Sequence, residues 1–150
     1  MRTVHVETGK PYDIFIERGI IDKCGEYIGR LSTAEKVTVI TDSNVAPHYQ
    51  WRVLNSLEKE GFEVKTHIFK AGEESKNLNT IAEMYNTLAS FRMTRKDIVL
   101  ALGGGVTGDM AGFAAAVYLR GMKFVQIPTS LLACVDSSVG GKTAVDLASG

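Results

Sequence analysis

The stretch IVLALGGGVTGDMAGF, from Ile98 to Phe113, limits what this chain can fold into more than any other feature. A continuous apolar run of strand length leads into three consecutive glycines, and a segment rich in small residues follows. Glycine has no Cβ, so it accepts a positive φ and lets main-chain amides approach an anion. The start of a helix also attracts negative charge. We therefore predict a buried parallel strand, a phosphate-binding turn and a helix over Asp109–Leu119.

These glycines form a G-x-G-x-x-G pattern at Gly103, Gly105 and Gly108, but in an unusual position. The common dinucleotide fingerprint follows the first strand of a domain, and an acidic residue follows the next strand. Here several elements come first, and the next strand ends in Ile127-Pro128-Thr129-Ser130 without an acid. The turn thus indicates nucleotide or phosphate binding outside the ordinary dehydrogenase arrangement. A tight turn without a ligand is the alternative, and three glycines in a row favour the ligand.

The remaining pattern predicts an α/β fold. From Lys36 onward, strands alternate with helices, which is typical of a Rossmann-like, doubly wound, mostly parallel sheet. Thr3–Glu7 and Tyr12–Glu17 alternate apolar and polar residues, which predicts an N-terminal antiparallel hairpin. The other predicted elements are a helix over Ile20–Leu31, a strand over Lys36–Thr41, a helix from Pro47 to Gly61, a strand over Phe62–Phe69, a helix with Leu78, Ile81, Tyr85, Leu88 and Phe91 facing inward, strands over Asp97–Leu102 and Phe124–Ile127, and an apolar helix after Ser130.

Composition excludes several classes of function. The formal net charge is +0, so the chain has no electrostatic footprint for nucleic acid or an anionic membrane. No apolar run reaches the roughly 18 residues that span a bilayer, and the N-terminus lacks a signal-peptide core. We therefore predict a cytoplasmic protein. Cys24 and Cys134 are interpreted as free thiols, with a disulfide as the alternative. The three histidines have no spacing that suits a metal site, so none is predicted in this chain.

Four polar segments follow predicted parallel strands and should meet at the carboxyl edge of the sheet, where ligands bind in such folds. They are Asp42-Ser43-Asn44, Gly72–Lys76, Gly103–Asp109 and Thr129-Ser130. Asp42 could accept both hydroxyls of a ribose or simply cap the next helix, and the residues leave both readings open. Acidic and basic side chains of the second segment could meet a nucleoside or face solvent.

The segment Ser137–Thr143, SSVGGKT, resembles the end of a Walker phosphate-binding motif, but Asp136 stands where its first glycine belongs. A carboxylate there would repel a triphosphate, so we reject an NTPase. Asp136 and Lys142 instead suit a hydroxylated, anionic substrate, and Arg120 suits a phosphate group. Ordinary surface charges are the alternative for these three residues.

Two motifs resemble the 3-dehydroquinate synthase family: GGGVTGDMAGFAAAVYLRG at Gly103–Gly121 and IPTSLLACVDSSVGGKTAVD at Ile127–Asp146. The second is the more specific, because related sugar-phosphate cyclases and iron-dependent alcohol or glycerol dehydrogenases share the glycine-rich turn. Ser130 and Cys134 depart mildly from the pattern, in which threonine and glutamine are common. The resemblance covers the whole chain, but only the amino-terminal, NAD-binding half of that enzyme.

The resemblance implies a reaction and its cofactors. The full enzyme converts 3-deoxy-D-arabino-heptulosonate 7-phosphate to 3-dehydroquinate and phosphate, in the shikimate route to aromatic amino acids. Bound NAD takes a hydride and returns it within one turnover. A divalent metal, zinc or cobalt, is held by a second, helical domain. We thus expect residues 1–150 to be an NAD-binding domain whose partner domain is missing after Gly150. We also expect this fragment to be inactive alone, and the full enzyme to be a homodimer.

The resemblance also implies site residues. The adenosine ribose would lie near Asp42 and Asn44, the nucleoside along Gly72, Glu73, Glu74, Ser75 and Lys76, the pyrophosphate on Gly104, Gly105, Val106, Thr107, Gly108 and Asp109, and the nicotinamide near Thr129 and Ser130. Lys142 would reach between cofactor and substrate, Asp136 would bind substrate hydroxyls, and Arg120 would bind anionic groups across a dimer interface. The alternatives are a metal-dependent alcohol or glycerol dehydrogenase, another sugar-phosphate cyclase, and a dinucleotide-binding module without catalysis.

Overall fold

A computed structural model describes residues 1–149, so the expected domain end at Gly150 lies outside the described residues. The first two strands, β1 (Arg2–Val6) and β2 (Tyr12–Ile16), form the predicted antiparallel hairpin. A separate four-stranded sheet contains β3 (Lys36–Asp42), β4 (Glu63–Phe69), β5 (Ile98–Gly103) and β6 (Lys123–Pro128). Its order is β4-β3-β5-β6, and every neighbouring pair is parallel. The predicted fold class is confirmed.

Helices cover both faces of this sheet. They are α1 (Cys24–Leu31), α2 (Ala46–Lys59), α3 (Leu78–Ser90) and α4 (Gly105–Val117), joined by 3-10 turns at Ile20–Lys23, Glu73–Ser75 and Tyr118–Arg120 and by a π-helical turn at Ala133–Ser137. The apolar faces of α1 and α2 belong to one buried cluster, and those of α3 and α4 belong to another. The sheet is therefore doubly wound, with a hydrophobic layer on each side.

The position of the central strand β5 explains why the sequence before Gly103 is apolar at every position. All six of its residues are buried. Val99 and Ala101 pack into the α3/α4 layer, whereas Leu100 and Leu102 pack into the α1/α2 layer. Successive side chains of a strand point to opposite faces, so a strand covered on both sides must be apolar at every position.

Two close contacts hold the layers in place away from the candidate site. The amide of Gly25 in α1 donates to Ser56 Oγ of α2 at 3.0 Å, and a Cβ on Gly25 would overlap the Ser56 carbonyl. At the amino edge of the sheet, the Asp97 carboxylate accepts from the Thr94 amide at 2.7 Å and the Lys36 amide at 3.1 Å. Burial would raise the pKa of Asp97, but these hydrogen bonds outweigh it and hold the pKa below its usual value.

Several details differ from the prediction: the helix predicted over Ile20–Leu31 is a 3-10 turn at Ile20–Lys23 followed by α1, and α4 ends at Val117 rather than Leu119. Helix α4 begins at Gly105 rather than Asp109, so the glycine turn forms its first turn. The helix expected after Ser130 ends with the short π-helical turn, and Gly140 then takes a left-handed φ of 96°, which a helix cannot propagate. Leu78 is 51 % exposed, because the first side chain of a helix points back beyond its start; Met84, which the predicted inward face does not include, is buried with Ile81 and Leu88.

Two further predictions concern membrane-spanning helices and the two cysteine thiols. Within residues 1–149, no helix is both long and apolar enough to cross a membrane. The Cys24 thiol is buried and the Cys134 thiol is exposed, and both are free. The interpretation as free thiols is confirmed, and the cytoplasmic location stays a prediction.

Candidate cofactor and substrate site

The candidate site lies at the topological switch point between β3 and β5. These strands are neighbours, yet the chain leaves β3 into α2 on one face and leaves β5 into α4 on the other. The divergence opens a crevice at the carboxyl ends of the two strands, which is where open α/β sheets bind ligands. Two of the four predicted segments, Asp42-Ser43-Asn44 and Gly103–Asp109, flank this crevice directly, whereas Gly72–Lys76 and Thr129-Ser130 follow the outer strands β4 and β6.

Asp42 closes the β3 side of the crevice. Its Oδ1 accepts from the amides of Asn44 at 2.9 Å and Val45 at 3.0 Å, which caps the turn before α2. Its Oδ2 accepts from Thr107 Oγ1 at 3.2 Å, which joins β3 to the first turn of α4. Helix capping itself is not observed, because the N-cap of α2 is Val45 and that helix has no side-chain cap hydrogen bond; Asp42 holds the turn that precedes the helix. The ribose contact of Asp42 and Asn44 stays a prediction, and a ribose hydroxyl would have to share an oxygen that already accepts a hydrogen bond.

The glycine turn provides the main-chain donors. Gly104 is the N-cap of α4 and offers no side chain to the helix. The first amides of a helix, here those of Gly105, Val106 and Thr107, have no carbonyl of the preceding turn to bond. With the positive end of the helix dipole they form a suitable place for an anion. This geometry fits a pyrophosphate on the predicted residues from Gly104 to Asp109.

The reason for the glycines is different from the expected one. No residue from Gly103 to Gly108 has a positive φ, so that part of the prediction is wrong. Glycine is required at these positions because neighbouring atoms leave little room for a Cβ. A Cβ on Gly103 would overlap the Thr107 side chain, one on Gly104 would lie 3.4 Å from Ser130 Oγ, one on Gly105 would lie 3.2 Å from Ser137 Oγ, and one on Gly108 would lie 2.7 Å from Gln126 Oε1. The turn is therefore close-packed against Gln126 of β6, against Ser130 and Ser137 after that strand, and against Thr107 of its own helix.

Lys76 ties the loop after β4 to α4. Its Nζ lies 2.9 Å from Asp109 Oδ2 and 3.5 Å from Glu73 Oε1, and its side chain is only 14 % exposed. The hydrogen bond with Asp109 is the main reason why the pKa of Lys76 is raised. Lys76 therefore neutralises an aspartate next to the glycine turn, and it does not stand as a free cation for a phosphate.

The rest of this loop is shaped by backbone contacts. Gly72 has a φ of 123°, which a residue with a side chain rarely adopts. Ser75 Oγ donates to the Lys70 carbonyl at 2.6 Å, and Ser43 Oγ accepts from the Ala71 amide at 3.0 Å, so the loops after β3 and β4 are joined. Glu73 and Glu74 are exposed beside this junction. Their contact with a nucleoside stays a prediction.

Thr129 and Ser130 lie against the glycine turn, as their place after β6 predicts. The Thr129 amide donates to the Gly103 carbonyl at 2.9 Å. Ser130 Oγ accepts from the Ala133 amide at 3.2 Å and so starts the helical turn that follows. Their contact with the nicotinamide stays a prediction.

The loop from Asp136 to Lys142, here named the substrate loop, brings two of the predicted catalytic residues together. Lys142 Nζ lies 3.2 Å from Asp136 Oδ1, and the two side chains are 71 % and 60 % exposed. Two hydrogen bonds join this loop to distant parts of the described chain. Gln126 Nε2 donates to the Ser138 carbonyl at 3.4 Å, and Tyr12 Oη accepts from the Gly140 amide at 2.8 Å.

These two supports of the loop were missed by sequence reasoning. Tyr12 is 128 residues from Gly140 and belongs to the hairpin, so no local pattern connects them. Gln126 stands within a strand and looked like an ordinary sheet residue. Ser137 is part of the SSVGGKT motif, and its position against Gly105 could have been suspected from that motif.

Arg120 is the predicted site residue that the structure does not bring to the crevice. It follows α4, whose 13 residues run from the carboxyl edge of the sheet to the amino edge, a length of about 20 Å. Leu119, Arg120 and Gly121 have successive φ values of 51°, 64° and 110°, a costly conformation for the two residues with side chains. Within one chain, Arg120 therefore lies at the opposite end of the sheet from Asp136 and Lys142.

The side chains that could bind a metal ion are dispersed over the described part of the chain. Over residues 1–149, no three His, Cys, Asp or Glu side chains are grouped so that they could hold a metal ion. His5 lies 2.8 Å from Asp13, and His67 is bonded to Thr87, also at 2.8 Å.

Known structures place this architecture in a class. The crystal structure of 2-deoxy-scyllo-inosose synthase complexed with carbaglucose-6-phosphate, NAD+ and Co2+ superposes with a TM-score of 0.92 and 28% identity, covering 99% of this chain and 41% of that one. A 2-epi-5-epi-valiolone synthase from Streptomyces hygroscopicus with NAD+ and Zn2+ bound has a TM-score of 0.79 and 26% identity, covering 98% and 40%. Fold and site therefore define a Rossmann-like domain of the type found in these two synthases.

Sequence comparison then identifies the family. The profile of the 3-dehydroquinate synthase N-terminal family matches residues 66–150, more than half of the chain. The chain belongs to the 3-dehydroquinate synthase family. The 3-dehydroquinate synthase of Clostridium acetobutylicum is 50% identical over 151 aligned positions, which cover 100% of this chain and 42% of the relative. The chain thus spans less than half the length of such relatives.

Proposed function

We propose that this chain is the NAD-binding part of a 3-dehydroquinate synthase, which converts 3-deoxy-D-arabino-heptulosonate 7-phosphate to 3-dehydroquinate and phosphate in the shikimate route. Family membership supports this proposal. The observation that carries it is the position of the substrate loop on the glycine turn, where Ser137 Oγ lies 3.2 Å from the place of a Gly105 Cβ. A dinucleotide on the turn and a phosphorylated sugar acid on the loop would therefore be neighbours.

The uncapped start of α4 fits NAD. Main-chain amides from Gly105 to Thr107 would hold the pyrophosphate, and Asp42 would lie beside the adenosine ribose. Thr129 would lie beside the nicotinamide. When bound, NAD supplies a hydride acceptor for one substrate hydroxyl and later returns the hydride. The Lys76–Asp109 ion pair holds the loop Gly72–Lys76, along which the nucleoside would lie, against α4.

Asp136 and Lys142 suit a substrate that carries both hydroxyls and negative charge. Their ion pair is exposed, and an exposed pair contributes at most about 1 kcal/mol, so a substrate can separate the two groups at little cost. The Asp136 carboxylate would then accept from substrate hydroxyls, and the Lys142 ammonium would bind an anionic group. Lys142 would stand between this substrate and the cofactor.

Two further parts of the proposal concern groups beyond one copy of this chain. A divalent metal, zinc or cobalt, would be held by the part of the enzyme that the relatives carry in addition. Arg120, at the far edge of the sheet, would serve the substrate site of a second copy in a homodimer. We accordingly propose that residues 1–150 bind NAD and do not turn over substrate by themselves.

The test compares residues 1–150 alone with the same residues joined to the carboxyl-terminal part of the Clostridium acetobutylicum relative. Calorimetry should detect NAD binding to both proteins. Phosphate release from the heptulosonate phosphate, with Zn2+ or Co2+, should be seen only in the joined protein. Asp136→Asn should lower kcat/KM by roughly 10- to 100-fold, because a hydrogen bond to a charged group is lost, and should leave NAD binding unchanged.

Three results would contradict the proposal. Turnover by residues 1–150 with metal and NAD would show that the chain needs no second part. Net release of NADH from a simple alcohol by the joined protein would favour a dehydrogenase. Binding of NAD with no cyclase activity in the joined protein would leave a dinucleotide-binding module.

A further inference from the structure

We infer that Tyr12 is a positioning residue for the substrate loop, an inference that rests on the proposed function of that loop. The phenol oxygen of Tyr12 accepts a hydrogen bond from the Gly140 amide at 2.8 Å. Gly140 stands two residues before Lys142 and four residues after Asp136. The bond therefore acts on the backbone between the two side chains that would bind the substrate.

The hairpin that carries Tyr12 is itself fixed at its other end. The Phe15 ring lies 5.0 Å from the Tyr27 ring of α1, measured between centroids, a packing contact that does not need the Tyr27 hydroxyl. Tyr12 pairs with Val6 at the turn end of the hairpin. The hairpin thus forms a strut that begins on α1 and ends at the substrate loop.

The substrate loop needs such a support. Gly140 has a φ of 96°, and a Cβ built on it would meet nothing within 4 Å, so side-chain packing does not hold the backbone there. The other distant hydrogen bond in the described chain, from Gln126 to the Ser138 carbonyl, is longer at 3.4 Å. It also lies on the Asp136 side of Gly140. Thr143, on the other side of Lys142, packs against Gly112 of α4, so among hydrogen bonds to distant residues of the described chain the Tyr12 bond is the one nearest to Lys142.

The decisive variant is Tyr12→Phe, which removes only the accepting oxygen and keeps the ring. A neutral hydrogen bond contributes a free energy equivalent to roughly 2- to 10-fold. In the joined protein described above, we expect kcat/KM for the heptulosonate phosphate to fall by about this factor, mainly through a higher KM. The Kd of NAD, whose proposed contacts lie elsewhere, should change by less than about twofold.

Tyr27→Phe is the matched control. It also removes one phenol oxygen, which donates a hydrogen bond to Glu17 Oε2 at the end of the hairpin, and it keeps the ring that packs on Phe15. That oxygen does not hydrogen-bond the substrate loop. We expect kcat/KM to remain at the wild-type value. An unchanged kcat/KM in Tyr12→Phe, an equal loss in Tyr27→Phe, or an NAD Kd that rises as much as KM would overturn the inference.

Amide hydrogen exchange tests the tether without any activity measurement. In residues 1–150, the Gly140 amide should exchange roughly 2- to 10-fold faster in Tyr12→Phe than in the wild type and unchanged in Tyr27→Phe. Equal exchange in all three proteins would overturn the inference even if the joined protein is an active cyclase. If the wild-type joined protein shows no cyclase activity, the proposed function fails, and this exchange comparison alone decides whether Tyr12 positions the loop.

Discussion

Two fully buried threonines differ in whether the hydroxyl has a hydrogen-bond partner, and this difference predicts different effects of replacement by valine. Thr107 and Thr38 are both 0 % exposed. The Thr107 hydroxyl donates to Asp42 Oδ2 at 3.2 Å across the crevice, whereas the Thr38 hydroxyl in β3 has no hydrogen-bond partner within the described chain. Replacement by valine exchanges the hydroxyl for a methyl group of similar size in each case.

The magnitude follows from what each hydroxyl does. A hydrogen bond to a charged group contributes about 1.5–3 kcal/mol, and threonine and valine have similar helix propensities. We therefore expect Thr107→Val to lower the free energy of unfolding by about 2 kcal/mol, which corresponds to roughly 4–8 °C in Tm for a chain of this length. Thr38→Val removes an unsatisfied buried hydroxyl from a strand, so it should be neutral or should raise the free energy of unfolding by up to about 1 kcal/mol.

Urea denaturation followed by far-UV circular dichroism measures both variants at pH 7. Thr107→Ser, which keeps the hydroxyl, is the control for the lost hydrogen bond and should lose less than Thr107→Val. If Thr107→Val stays within about 0.5 kcal/mol of the wild type, the bond across the crevice contributes nothing. If Thr38→Val is destabilised as much as Thr107→Val, the hydrogen bond is not the cause of the difference.

Further predictions concern other parts of the fold. The pKa of Asp97 is lowered in the folded state, so its stabilising contribution is present above the unfolded pKa of about 3.9 and is lost as the pH falls through the folded pKa. Asp97→Asn should therefore reduce the fall in urea midpoint that the wild type shows between pH 6 and pH 2.5. Gly25→Ala should lower the free energy of unfolding, measured by urea titration, by about 1–3 kcal/mol, because the new Cβ overlaps α2. Gly29→Ala in the same helix should raise it by up to about 1 kcal/mol, because a Cβ there would meet only one atom, at 3.9 Å. Lys76→Met, which removes the 2.9 Å ion pair with Asp109, should lower the free energy of unfolding by about 1 kcal/mol. Lys70→Met removes an exposed ion pair of 3.8 Å and should change the free energy of unfolding by less than about 0.5 kcal/mol.

The main features of the fold could be predicted because they depend on local patterns. The run before Gly103 is apolar at every position, as a strand covered on both faces must be, and alternation of strands and helices then determines a parallel sheet. The convergence of Asp42, the glycine turn and Thr129 also follows, since the carboxyl ends of parallel strands share one edge.

Other features could not be predicted from local patterns. The bond from Gly140 to Tyr12 joins residues 128 positions apart, and the pair of Lys76 with Asp109 depends on the path of a loop. The start of α4 at Gly105 does not follow from local propensity, because glycine is a poor helix former; packing against Gln126 of β6 and against Ser137 after it overrides that propensity. Such contacts depend on tertiary packing, which one sequence does not display.

The absence of positive φ values in the glycine turn has a consequence for how this turn could vary. Since the restriction is one of volume, a saturation library at Gly103, Gly104, Gly105 and Gly108 should be sorted by side-chain size and by the neighbour that each Cβ meets. Alanine should survive best at Gly104, where a Cβ would lie at an ordinary contact distance of 3.4 Å, and worst at Gly103, where it would overlap a buried threonine. Asparagine, the usual substitute where glycine is needed for a left-handed backbone, should have no advantage over other residues of its size.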